Sequence, residues 1–321
     1  MDNHPTARPI VIAHRGCSGE RPEHTLAAYE RAIDQGADVI EPDLVPTRDG
    51  VLVARHENEI GGTTDVARHA GFARRRTTKT IDGQEVTGWF VEDFTLAELK
   101  TLRARERLPD LRPANTAFDG RFEIPTLGEI IALAKARGVG LYPETKHPTY
   151  FAAIGLGTDA PLVAALHAAG WSGPDDPVFI QSFEVGNLRR IAGMTRLRLI
   201  QLMDAQGGPA DGAVPSYQMM ATPGGLRAVA AYAYGIGPNK AQLGQGGLVR
   251  DAHAAGLRVH PWTFRAENRF LAAPFQRAGA TGDLAGEIAA ALRLGIDGFF
   301  TDYPLIGVQT RDAVAKESRD A

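Results

Sequence analysis

Short apolar runs alternate with stretches whose apolar residues fall three and four apart. The runs read as strands at Pro9–Ala13, Asp38–Val45, Val51–Arg55, Gly140–Pro143, Val178–Ile180, Arg198–Leu202, Arg258–Thr263 and Gly298–Thr301. The helical spacing is clearest over Leu26–Ile33, Leu127–Ala136, Pro161–Ala169 and Leu284–Leu294. Strands that alternate with such helices form parallel βαβ units, and about eight of them favour a closed barrel over an open sheet. No G-x-G-x-x-G follows the first run, so a dinucleotide fold lacks its main signature.

Two places break the alternation. Between Val45 and Val51 lies a short turn with Asp49-Gly50, too short for a crossover helix, which predicts a hairpin-like pair. From Glu57 to Phe118 the chain is rich in Thr, Arg and Gly and carries Trp89, Phe90 and Phe94. Within it Thr95–Arg103 reads as a helix, with Thr95 and Glu98 at capping-box spacing. These features predict a distorted (β/α)8 TIM barrel over 1–56 and 119–321, with a small inserted subdomain at 57–118. Residues 203–250, rich in Gly, show no clear strand. They are expected to form a long loop over the barrel mouth with a helix near 225–234, and the polar tail after Thr310 is expected to fray.

Composition narrows the function classes. The 321 residues hold 35 Lys plus Arg and 38 Asp plus Glu, a formal charge of −3, without the basic excess of a nucleic-acid coat. Arg74, Arg75, Arg76 and Lys79 read as a solvated face. The one cysteine, Cys17, cannot form an internal disulfide and reads as a small buried residue. No run of about 18 apolar residues is present to span a bilayer. The first ten residues lack the pattern of a signal peptide, so a cytoplasmic location is expected, or a periplasmic or secreted one if a leader was removed. Oligomeric state is not readable.

Barrel active sites lie at the carboxyl ends of the strands. Those ends hold His14 and Arg15, Glu41 and Asp43, His56, Glu144 and Lys146, Gln181 and Ser182, and Asp302, with His260, Trp262 and Phe264 on or just past another strand. Glu41 and Asp43, two apart, share a strand face, as do Glu144 and Lys146. Three carboxylates at one mouth repel unless a cation sits between them, and an all-oxygen set suits Ca2+ or Mg2+ better than zinc. His14 and His56 are the candidate proton donor and acceptor. Arg15 offers a fork matched to phosphate, although an ion pair with Glu41 or Glu23 is also open to it, and Lys146 offers a point charge. Trp262 could pack on an apolar edge of an alcohol. His4, His69, His147, His167 and His253 read as structural; His24 and His260 are intermediate.

The segments Ala13-His14-Arg15-Gly16, Pro22-Glu23-His24-Thr25, Gly36-Ala37-Asp38, Glu41-x-Asp43, Asp49-Gly50 and His56 resemble the glycerophosphodiester phosphodiesterase family. Thr63-Thr64-Asp65-Val66 and Asp93-Phe94-Thr95-Leu96-x-Glu98-Leu99 resemble the insertion of its GlpQ-type branch. Ile124-Pro125-Thr126-Leu127, Tyr142-Pro143-Glu144-x-Lys146, Gln181-Ser182-Phe183 and Thr301-Asp302-Tyr303-Pro304 extend the likeness to about residue 305. The resemblance implies hydrolysis of glycerophosphodiesters to sn-glycerol 3-phosphate and an alcohol such as choline or ethanolamine. It implies His14 and His56 as the acid/base pair and Glu41, Asp43 and Glu144 as ligands of a divalent cation, Ca2+ favoured over Mg2+. Arg15 would bind phosphate and act with the histidines, and Lys146 would line the site. Pro42 departs from a plain strand between the two carboxylates and is expected to face away from the metal. The competing readings are a lysophospholipase D-like diesterase, which would want an apolar mouth, and a non-catalytic ligand-binding barrel, against which both histidines stand.

Overall fold

The computed structural model of the protein describes residues 8–244 and 247–320; His4 lies outside them. The strands are β1 (Ile10–His14), β2 (Val39–Glu41), β3 (Asp43–Pro46), β4 (Leu52–Ala54), β5 (Thr77–Ile81), β6 (Gln84–Gly88), β7 (Gly140–Leu141), β8 (Glu144–Thr145), β9 (Phe179–Ser182), β10 (Arg198–Met203), β11 (Gly235–Pro238), β12 (Arg258–Val259) and β13 (Gly298–Thr301). The helices are α1 (Leu26–Asp34), α2 (Leu96–Leu99), α3 (Leu127–Arg137), α4 (Pro148–Ala153), α5 (Asp159–Ala168), α6 (Val185–Ala192), α7 (Tyr217–Met220), α8 (Pro223–Val229), α9 (Leu248–Ala254), α10 (Leu284–Arg293) and α11 (Pro304–Asp320).

The parallel strands close on themselves. Pro42 has no N–H to offer, so β2 and β3 are two pieces of one barrel strand; β7 and β8 are likewise two pieces, broken at Tyr142-Pro143. Backbone bonds bridge the second break, with Tyr142 N donating to Ile40 O at 2.9 Å and Glu144 N to Pro42 O at 2.9 Å. Ladders run from β13 through β1 to β2 and β7, and from β12 through β11, β10 and β9 to β8 and β3. Asp297 N to Val259 O, 2.9 Å, and Phe264 N to Phe300 O, 2.8 Å, join the last two strands and complete a distorted TIM barrel.

Period two along the strands divides the inner wall into layers. Ile12, Val39, Tyr142, Phe179, Ile200 and Phe300 fill the barrel interior. Tyr142 and Phe179 stack with centroids 5.0 Å apart, and Phe300 meets Tyr142 edge-on at 5.0 Å. The next inner positions toward the carboxyl ends are His14, Glu41, Glu144, Gln181 and Leu202, and these line a cavity. The apolar layer below thus forms a dry floor for polar groups above it.

The turn between β3 and β4 is tight and antiparallel, with Gly50 at φ +78° and its N–H on Thr47 O at 2.9 Å. Residues 57–118 carry the β5–β6 hairpin and α2. Thr95 and Glu98 form the capping box, but α2 ends at Leu99, short of the expected Arg103. Phe94, Leu99, Leu102 and Val91 share one apolar cluster with Val45 and Val53 of the barrel. Arg75 pairs with Glu98 at 2.5 Å and Lys79 with Asp93 at 2.7 Å, so these cations are occupied internally.

Two expectations are corrected. The segment 203–250 is not one long loop: its described residues include the barrel strand β11, helices α7 and α8 and the start of α9, with α8 at Pro223–Val229 in place of a helix near 225–234. The strand escapes its sequence because glycines compose it. A Cβ at Gly235 would lie 2.7 Å from Arg258 O, and one at Gly237 2.6 Å from Leu202 Cδ2. The tail does not fray after Thr310 either; α11 continues to Asp320. Arg311, 2% exposed, pairs with Asp38 beside β1 and anchors it.

Candidate active site

A cavity of about 320 Å3 opens at the carboxyl ends of the strands. His14, Arg15, Glu41, Asp43, His56, Glu144, Lys146 and Trp262 all line it, so every site residue expected from the sequence meets there. Gln181, Phe183, Asp204 and Arg265 complete much of the wall.

Strand register gathers the carboxylates. His14 lies opposite Glu41, and Asp43 lies opposite Glu144, which in turn lies opposite Gln181. Glu41, Asp43 and Glu144 are buried, and one oxygen of each falls within 4.8 Å of the others. Burial, then the charges of Asp43 and Glu144, pushes the Glu41 carboxyl well above its usual range. Glu144 is pushed up to about 8, by burial first and with Asp43 adding to it. Asp43 goes the other way: against the cost of burial, Lys146 and His24 hold it well below the usual range. The set fits an oxygen-preferring divalent cation and forms a candidate metal site.

Neighbours fix these oxygens in place. Gln181 Nε2 donates to Glu41 Oε1 at 3.0 Å, and the Arg15 backbone N–H donates to Glu41 Oε2 at 2.8 Å. Lys146 Nζ lies 2.9 Å from Glu144 Oε1. His24, fully buried, spans from Tyr29 OH at 2.8 Å to Asp43 Oδ2 at 2.9 Å, so this histidine holds a carboxylate in place and lies outside the cavity lining. Arg15 and His24 both adopt positive φ, +58° and +52°, a strained backbone at the mouth.

Each cavity histidine is held by its own carboxylate. His14 Nδ1 lies 2.6 Å from Asp302 Oδ1, and His56 Nδ1 lies 2.5 Å from Glu57 Oε1. An ionised carboxylate can only accept, so each Nδ1 carries the proton and each Nε2 is left as the working nitrogen. The carboxylates are held in turn by arginines from segment 57–118. Arg112 Nη2 donates to Asp302 Oδ2 at 2.5 Å, and Arg107 Nη2 lies 2.6 Å from Glu57 Oε2. Burial lowers His14 to about 4, with Arg15 adding to it and Asp302 opposing. Burial lowers His56 to about 3, with Arg15 and Lys146 adding to it and Glu57 opposing. Burial and the neighbouring cations thus favour the neutral imidazole at both positions.

Arg15 bonds Glu23 through Nη1 at 3.1 Å, the pairing open to it from the sequence, and its buried Nε makes no hydrogen bond, only a 3.4 Å ion pair with Asp43 Oδ2. Arg265 makes no hydrogen bond among the described residues and touches Asp302 only through a 3.1 Å ion pair. Both are available to an anion. His260 is 2% exposed, bonds Tyr142 OH at 2.9 Å and sits in the barrel interior, away from the cavity lining. Cys17 is buried, and its thiol is pushed up to about 12 by burial, which removes it as a nucleophile.

Sequence reasoning missed Glu57, Arg107, Arg112, Asp204 and Arg265. Asp204 had a signal, since it stands two positions past Leu202 on an inward-facing strand. The arginines had none, because only folding brings them to their partners.

The profile of the Glycerophosphoryl diester phosphodiesterase family matches residues 14–306. A glycerophosphodiester phosphodiesterase of Arabidopsis thaliana is 37% identical over 93% of this chain and 84% of its own. One from Haemophilus influenzae is 30% identical over 94% of this chain and 89% of its own. Among solved structures, an Oleispira antarctica phosphodiesterase in complex with the product sn-glycerol-3-phosphate superposes with a TM-score of 0.66 at 24% identity, covering 95% of this chain and 97% of that one. With its barrel, cavity and these relatives together, the chain belongs to the glycerophosphoryl diester phosphodiesterase family and is a phosphodiester hydrolase.

Proposed function

We propose that the protein hydrolyses glycerophosphodiesters to sn-glycerol 3-phosphate and an alcohol, in a divalent-cation-dependent reaction with His14 and His56 as the acid/base pair. The observation that carries the reading is the matched pair of histidines, each tied at Nδ1 to a carboxylate, in one cavity with a buried carboxylate triad. Arg15 and Lys146 bind the phosphoryl oxygens, and Arg265 adds a third positive charge. One histidine takes the proton from the attacking hydroxyl, as the new P–O bond forms. The other, taking up a proton at Nε2 as the anionic diester binds, gives that proton to the departing alcohol oxygen as the old P–O bond breaks. The attacking hydroxyl is that of water or of the glycerol itself; the second route passes through a cyclic phosphate that water then opens.

Glu41, Asp43 and Glu144 would hold the cation, which when bound supplies Lewis-acid polarisation and neutralises phosphoryl charge. Ca2+ is favoured over Mg2+, because three carboxylates set by strand register suit an ion tolerant of irregular oxygen coordination. Residues 57–118 act as an inserted unit that supplies Arg107 and Arg112 to the histidine carboxylates.

The test is release of glycerol 3-phosphate from glycerophosphocholine, with EDTA, then with Ca2+ or Mg2+ restored. Turnover is expected to vanish with EDTA, return with a cation, and fall by roughly 10²-fold in His14→Ala and in His56→Ala. No turnover of glycerophosphocholine with any cation would overturn the reading, and hydrolysis of lysophosphatidylcholine in its place would move it to lipid diesters.

A further inference from the structure

A second cavity, of about 220 Å3, adjoins the catalytic one and shares His14, Arg15 and Arg265 with it. Three further arginines, Arg107, Arg112 and Arg269, line it, against two carboxylates, Glu23 and Asp302. One reacting phosphoryl group already has Arg15, Lys146 and the candidate cation site. The arginines of the neighbouring cavity exceed that need.

Three of the five are satisfied within the protein. Arg107 takes both oxygens of Glu23, at 2.6 and 2.8 Å, and also reaches Glu57 at 2.6 Å. Arg15 shares Glu23 at 3.1 Å. Arg112 bonds Asp302 and Glu267, each at 2.5 Å. Glu23 and Asp302 are thereby covered by arginines and do not leave the cavity anionic.

Arg265 and Arg269 are different. The Arg265 Nε is buried without a hydrogen bond, and the side chain meets Asp302 only through the 3.1 Å ion pair. Its guanidinium lies over the Phe270 ring, 4.6 Å from the centroid, and Phe270 also lines the cavity. A buried N–H without an acceptor is costly, and an entering oxyanion removes that cost. Arg269, four residues further along the chain, is exposed and lines the same cavity. Its side chain makes no hydrogen bond or ion pair among the described residues.

We propose that this cavity is a second oxyanion site, which takes a tetrahedral dianion of the phosphate monoester class, separate from the phosphoryl group that reacts. Arg265 and Arg269 are its free donors, each a fork matched to two oxygens of one phosphate. The Phe270 face holds the Arg265 guanidinium in place. The dianion arrives on an arm of the substrate or as free phosphate, and the same groups recognise it in either case. The site goes beyond the diesterase reading, and its test separates the two.

Sodium sulfate, a tetrahedral dianion, is titrated calorimetrically at constant ionic strength into His56→Ala protein whose reacting position is filled by glycerophosphocholine and Ca2+. One sulfate is expected to bind, and to bind at least tenfold more weakly, a loss of about 1.4 kcal/mol, when Arg269→Glu is added. Arg74→Glu, an equal change of charge outside both cavities, is expected to leave sulfate binding unchanged. Absence of sulfate binding, or equal weakening by Arg74→Glu, overturns the proposal. Should Arg269→Glu not fold, Arg269→Gln replaces it. The source of the dianion is read from kcat/KM for glycerophosphoglycerol and for the same diester with a phosphate monoester on its terminal hydroxyl. A wild-type preference of roughly tenfold for the second, lost in Arg269→Glu, assigns the site to a phosphate carried by the substrate. A ratio near one beside sulfate binding assigns it to free phosphate. Turnover of neither diester overturns the diesterase reading instead. Sulfate titration of the wild type and of Arg269→Glu without glycerophosphocholine then decides the site: tenfold weaker binding in the variant supports it, and equal binding overturns it.

Discussion

Asp302 Oδ1 stands 2.6 Å from His14 Nδ1, while its other oxygen takes Arg112 Nη2 at 2.5 Å. The carboxylate therefore fixes both the tautomer and the ring plane of His14. Asp302→Asn keeps the shape but can present an N–H to Nδ1, which favours the wrong tautomer. The expected result is a fall in kcat of roughly 10²-fold with KM little changed. Arg112→Met is expected to cost less, because Arg265 remains 3.1 Å from Asp302. Steady-state kinetics at several pH values check this; wild-type kcat in Asp302→Asn would remove the carboxylate from the mechanism.

The carboxylate triad predicts a stability response separable from turnover. A ligand that binds only the folded state stabilises it by about 2.7 kcal/mol at a concentration 100 times its Kd. Ca2+ is expected to raise the melting temperature of the wild type and to leave that of Glu144→Gln nearly unmoved. Thermal melts with EDTA and with Ca2+ measure it directly. An equal shift in both proteins would place the cation elsewhere.

Gly16 follows Arg15 at φ +86°, and a Cβ there would lie 2.6 Å from the Ala28 backbone carbon. Neither the backbone angle nor the space admits a side chain. Gly16→Ala is expected to destabilise the fold by about 3 kcal/mol, from left-handed strain and a forced contact combined. Urea unfolding at fixed cation concentration gives the value, and a cost below about 1 kcal/mol would mean that α1 moves aside freely.

His260 contributes to an acid limit that the buried His14 and His56 share. Burial lowers His260 to about 4 from 6.5 in the folded protein. As pH falls from 6.5, the unfolded chain takes up the proton first, so the native state loses stability until pH passes about 4. The loss amounts to at most about 3 kcal/mol. His260→Gln, which can still bond Tyr142, is expected to flatten this part of the stability–pH curve. Urea midpoints between pH 7 and pH 4 check it, and an unchanged slope would show that other groups set the acid limit.

Much of the barrel was legible because local pattern and global fold agree. His14, Glu41 and Glu144 follow Ile12, Val39 and Tyr142 at spacing two, and Asp43 follows Glu41 at the same spacing, which is enough to place them at the mouth. β11 was hidden because Gly235 and Gly237 are required by the closeness of Arg258 and Leu202, and glycines carry no strand signal. The helical tail was hidden because its polar Arg311 is buried against Asp38, an ion pair that no local window contains.

The residue order alone determined which chemistry was present: two histidines, three carboxylates, Arg15 and Lys146, each at the end of a predicted strand. That is a property of periodicity, which operates over a few residues. Tertiary structure alone decided how these groups are held and what surrounds them. Arg112 reaches Asp302 across 190 positions and Glu267 across 155, and Asp204 meets Phe183 and Trp262 at one cavity wall only once the barrel closes. Such contacts depend on closure of the whole ring of strands, and no stretch of sequence short enough to read as a pattern contains both partners.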